Sequence, residues 1–161
     1  MNSLLKAMSL FLSTSYLLIT ATQLQAETQA ADQHSRKHEG HAASVLKLDH
    51  GNKWQTDEPL RKGMQSINDE VMKSLPAYHG KSLTRTEADK LGKHINQQVT
   101  YIVQNCKLEP RADAVLHVLI GDLLAGTEQL SGEPLSEQGM PVIVKTLRTY
   151  PDYFEHPGWN N

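Results

Sequence analysis

The stretch LTRTEADKLGKHINQQVTYIVQNCK, residues 83–107, decides the fold, because it carries both a helix start and a helix period. Thr84 and Glu87 stand three apart in the pattern of a capping box. The Thr84 hydroxyl can accept the Glu87 N–H while the Glu87 carboxylate accepts the Thr84 N–H, and Leu83 can staple onto Ala88. Beyond that start Leu91, Ile95, Val99, Ile102 and Cys106 recur at three- and four-residue steps, which puts them on one face of a helix ending near Lys107.

Reading outward from this helix, the same period appears on both sides. Upstream, Leu60, Met64, Ile67, Val71 and Leu75 predict a helix over 57–75. Thr56 or Asp57 can cap it, Pro59 sits in its first turn, and Pro76 is expected to stop it. Downstream, Glu109-Pro110 opens a third helix that buries Leu116, Leu119, Leu123 and Leu130. Gly121 and Gly126 each cost such a helix about 1 kcal/mol relative to Ala, so both are expected to admit a neighbouring helix closely. A fourth helix fits 140–150, with Pro141 at its start, Ile143 and Leu147 inward, and Pro151 as the stop. With no alternating strand pattern, the predicted fold is all-α, an antiparallel four-helix bundle.

The flanks differ in composition. Lys6, the apolar run over 7–21 and Leu24-Gln25-Ala26 have the order of a cleavable secretory signal, so 1–26 is read as a signal peptide cut near Ala26. Ser13, Thr14 and Ser15 within the apolar run argue against a permanent membrane anchor. Residues 27–44 hold almost no large apolar side chains and read as a flexible His-rich arm, leaving 45–161 as the bundle domain. The tail over 150–159, with Tyr153, Phe154, His156 and Trp159 gathered around Pro151 and Pro157, cannot continue a helix and is expected to fold back.

Composition bounds the function. Removing 1–26 takes away Lys6 and no acid, leaving 15 basic against 18 acidic side chains, a net charge of −3 that argues against nucleic acid. The single cysteine excludes an internal disulfide and a Cys-x-x-Cys-His haem attachment. Cys106 itself reads as an inert buried thiol; an exposed one could instead bind soft metals beside Met64 or Met72. No nucleophile beside a base, no phosphate-cradling glycine loop and no His-Glu-x-x-His pattern is present, so no catalytic residue is predicted.

Histidine is the reactive residue in excess, and all 8 copies lie beyond the signal. His34, His38 and His41, at steps of four and three, would face one way on a helical turn and could chelate Cu or Zn; a merely solvated polar arm is the plain alternative. Asp113 and His117 stand four apart, so the carboxylate can hold one ring nitrogen and leave the other for a metal, at a position expected on the boundary of the core. His94 is expected to be structural.

Three blocks, LDHGNKWQTDEPLRKGM (48–64), NCKLEPRADAVLH (105–117) and YFEHPGW (153–159), resemble a group of small exported proteobacterial proteins without an assigned activity. That resemblance implies export and a single domain. The bundle is also loosely similar to cytochrome b562, which implies Met64 and His156 as the positions matching its haem ligands, although His156 lies beyond Pro151. The leading expectation is a non-catalytic periplasmic protein that binds or buffers Cu or Zn. The alternatives are an envelope module that binds a protein partner and a b-type haem electron carrier.

Overall fold

The computed structural model describes residues 45–132 and 138–160, so the predicted signal and the arm with His34, His38 and His41 lie outside the described residues. The chain runs β1 (Trp54–Gln55), α1 (Glu58–His79), α2 (Arg85–Asn105), α3 (Pro110–Leu130), α4 (Gly139–Tyr153) and β2 (Phe154–Glu155). It is mostly helical, in line with the all-α expectation.

The start of α2 is set as its sequence dictates. Thr84 accepts the Glu87 N–H, and the Glu87 carboxylate takes the Thr84 N–H at 2.8 Å. Asp57, rather than Thr56, caps α1 by accepting the Leu60 N–H at 2.9 Å. The inward stripes close into one core containing Leu60, Met64, Ile67 and Val71 of α1, Leu91, Ile95 and Ile102 of α2, Leu119 and Leu123 of α3, and Ile143 and Leu147 of α4. Burial of this apolar surface supplies the main drive for folding. α1 packs on α2, α2 on α3 and α3 on α4, while α1 and α4 touch sparingly.

Both expected proline stops are overrun by one turn. α1 passes Pro76 and ends at His79, and α4 passes Pro151 and ends at Tyr153. A proline gives up the bond that its own N–H would have made to the carbonyl four residues back and crowds that carbonyl, but it leaves every later N–H able to bond. The next carbonyls still find donors: Gly80 N–H to Pro76 O at 3.0 Å, Ser82 N–H to Ala77 O at 2.8 Å, and Phe154 N–H to Tyr150 O. The helices therefore continue past both prolines, and the extra turns bring Tyr78, His79 and Tyr153 into them.

The two glycines of α3 divide. A Cβ on Gly126 would stand 2.8 Å from Ile143 Cγ1 and 3.1 Å from the Gly139 carbonyl, so here α4 does approach closely. A Cβ on Gly121 would meet nothing within 4 Å, because that residue points to solvent, and the expected close approach is absent there.

A short strand pairing escaped the sequence. β1 and β2 run parallel, with Trp54 opposite Phe154 and Gln55 opposite Glu155, and the Thr56 hydroxyl adds a bond to Glu155 O at 2.6 Å. Two residues per strand are too few to show an alternating pattern. The pairing joins segments about a hundred residues apart and sets the buried Trp54 and Phe154 side by side.

Candidate functional site

Asp57 does more than cap a helix. While its Oδ1 holds the Leu60 N–H, its Oδ2 accepts the Lys107 N–H at 2.6 Å, and the Cys106 thiol donates to Oδ1 at 3.4 Å. One carboxylate thus fastens the start of α1 to the end of α2. Burial alone raises the Asp57 carboxyl, but the hydrogen bonds from Lys107, Leu60 and Cys106 and the nearby Arg61 charge outweigh it, so its pKa lies below the usual value. The Cys106 thiol moves the other way. Desolvation first, then the Asp57 carboxylate, push it up to about 12, which keeps it protonated and unreactive. The thiol is half-buried rather than fully enclosed.

Beside this junction the Trp54 indole donates to Lys47 O at 2.7 Å, and the Arg111 guanidinium lies 5.0 Å above its ring while reaching Asp49 at 3.7 Å. Trp54, Asp57, Lys107 and Arg111 line a cleft of about 370 Å³. The tail closes the same region, as Tyr150 stacks on Phe154 at 5.2 Å and meets Trp159 at 4.8 Å. The folded-back tail is therefore anchored by its aromatics. The Tyr150 hydroxyl and His156 Nδ1 are 3.1 Å apart, and desolvation, then the Arg61 charge, hold the imidazole below the ordinary histidine value. Farther along α1 the buried Asn68 amide donates to Asn160 O at 2.6 Å, binding the chain end to the core.

The sequence-predicted ligands are distributed unevenly. Asp113 and His117 do come together near the start of α3, but His117 Nδ1 lies 2.9 Å from the Asp113 backbone carbonyl and 3.4 Å from its carboxylate. The expected boundary position is corrected: the His117 side chain is 61% exposed. One residue past the buried Leu116 is a turn of about 100°, enough to carry the ring onto the outer face. His94 is structural in its setting, with Nε2 at 3.1 Å from the Ser66 hydroxyl. Met64 is sealed in the core, and His156 is engaged by Tyr150 and Trp159, so this pair does not fit an axial haem set. Among the described residues no three His, Cys, Asp or Glu side chains come together as a metal site. No helix among them is long and apolar enough to cross a membrane.

Little in the sequence marks the Asp57 junction, because Cys106 and Lys107 lie about fifty residues from Asp57, and two of its three donors are backbone N–H groups with no signature in side-chain identity. The one available signal was that Asp57 stands before a proline-started helix while Cys106-Lys107 ends another. No protein-family model, no curated protein and no solved structure matches the chain.

Proposed function

We propose that this chain is an exported, periplasmic, non-catalytic protein that captures or buffers a transition metal, Cu or Zn, on an antiparallel four-helix bundle. His34, His38 and His41 form the capture site, and His117 with Asp113 forms a second. The observation that carries the reading is the state of His117: one ring nitrogen is held by Asp113, and the ring stands open to solvent. A histidine whose Nδ1–H is fixed by a carbonyl or carboxylate has its tautomer and orientation set, leaving Nε2 as the ligating atom. His117 and Asp113 alone are too few for a closed site, so this second site binds the more weakly, and the three imidazoles in the sequence of the arm carry the principal one.

The test is elemental analysis of the purified protein followed by Cu(II) and Zn(II) titration. Replacing His34, His38 and His41 together with Ala removes the principal binding step, and His117→Ala removes the weaker one without shifting the melting temperature of the metal-free protein, since the ring contributes nothing to the core. Binding weakens as pH falls, because protonated imidazoles do not ligate. Isotherms unchanged in both variants sink the reading.

A further inference from the structure

Because α1 continues through Pro76, its last turn brings Tyr78 and His79 opposite α4, where the two helices otherwise touch little. Between them lies an open groove of about 450 Å³, within the size range of small-ligand sites. Leu75, Tyr78, Pro141 and Val144 give it an apolar wall, with the fully buried Met140 beneath it. Its charged groups are Lys145, Arg148 and Asp152 of α4, with His79 of α1 on the rim.

Arg148 is the informative member. Arg61 bonds to Thr56, Arg85 to Asp89 and to the carbonyls of Ser131 and Gly132, and Arg111 to Asp49 and the Trp54 face. Arg148 alone among the described arginines has neither hydrogen bond, ion pair nor ring contact. Lys145, three residues earlier on the same face, is engaged only at a distance, by the charge of Asp122. Asp152, one turn beyond Arg148, is the single carboxylate of the lining and does not pair with it. The groove therefore presents an apolar wall with two cations at one place and an excess of positive charge.

We propose that this groove binds a single-chain amphiphile with a carboxylate head, its tail lying on Leu75, Tyr78, Pro141 and Val144 and its head held by Arg148 and Lys145. The guanidinium fork matches a carboxylate in a bidentate pair. From Arg148 back to Pro141 the wall follows about 10 Å of helix at 1.5 Å per residue, so it takes up the part of an extended acyl chain next to the head. An acidic helix from a partner protein would spread its carboxylates along that length, whereas the cations of the groove sit within one turn. None of the residues lining the groove is among the histidines assigned to metal capture, and its test is independent of theirs.

The experiment is calorimetric titration of the purified protein with dodecanoate below its micelle concentration, set against dodecyltrimethylammonium, which has the same tail and the opposite charge. The expected result is saturable one-to-one binding of dodecanoate and none of the cation. Arg148→Ala weakens binding about tenfold, the worth of one charge-assisted hydrogen bond, and Arg148→Lys recovers part of it. Val144→Asp, on the half-buried wall, abolishes binding, and circular dichroism verifies that both variants keep the helical fold. Equal binding of both amphiphiles, or affinity indifferent to Arg148 and Val144, overturns the proposal. So does a groove that ignores dodecanoate and takes up a synthetic acidic amphipathic peptide, or one covered by a second copy of the chain in sedimentation.

Discussion

Replacing Asp57 tests whether one carboxylate joins two helices. Asp57→Ala removes the cap of α1, which costs about 1 kcal/mol. It also takes the charged acceptor from the Lys107 N–H, now at 2.6 Å. A hydrogen bond to a charged group contributes about 1.5–3 kcal/mol, with the lower end applying here because the Lys107 N–H is exposed and water can replace the acceptor. The expected loss is therefore about 2–3 kcal/mol. Asp57→Asn keeps one carbonyl acceptor and should lose about half as much. The acid dependence has a definite sign. The native pKa lies below the ordinary 3.8, so this stabilisation is complete above the unfolded value and disappears as pH falls through the native one. Urea denaturation followed by circular dichroism, at several pH values from 7 down to 2, measures both effects. The difference between wild type and Asp57→Ala should shrink as the most acidic conditions are reached. A loss under about 0.5 kcal/mol at pH 7, or one that persists undiminished in acid, refutes the junction and leaves Asp57 an ordinary surface cap.

Cys106, held protonated by burial and by Asp57, should react slowly with a disulfide reagent at pH 8, and Asp57→Ala should accelerate the reaction well beyond any increase in global unfolding. Gly121→Ala, with open space for its methyl group, should stabilise the protein by up to about 1 kcal/mol through helix propensity. Gly126→Ala should destabilise it, since the new Cβ meets the Ile143 backbone N at 3.1 Å as well as its side chain, and thermal melts of the pair distinguish the two sites directly. His156, held below its unfolded value, binds fewer protons in the native than in the unfolded state, so stability should fall as pH drops from 7 towards 5. His156→Gln should flatten that slope, and an unaltered slope would show that the imidazole is not desolvated by the tail.

The helices were legible because their signals are local. Thr84 and Glu87 mark a start through bonds spanning three residues, and Leu91, Ile95 and Ile102 mark a face through spacing alone. The ends at Pro76 and Pro151 were misjudged because proline reports which bond is lost, while the outcome depends on which donors follow, and Gly80, Ser82 and Phe154 supply them. Adjacency to Leu116 does not place His117 at the core boundary, because a helix turns about 100° at each step and neighbours in sequence occupy different faces. Gly126 and Gly121 look alike in sequence, and only the position of α4 separates them. The groove between α1 and α4 was not visible at all, because it depends on the turn beyond Pro76.

The three sequence blocks over 48–64, 105–117 and 153–159 converge in the fold, and that convergence has a physical cause. Asp57 of the first holds Cys106 and Lys107 of the second, Trp54 of the first lies under Arg111 of the second, and Trp54 pairs with Phe154 of the third. Each block flanks a helix rather than forming its middle, so its backbone groups are those that a helix leaves unsatisfied. Closing them against one another pairs several of these groups and buries Trp54 and Phe154 in the same step. The joined segments are far apart in sequence, so the entropy of closing the chain must be met by several contacts made together. That account assigns this end of the fold to stability, apart from the exposed His117 and from Arg148, which take no part in the junction.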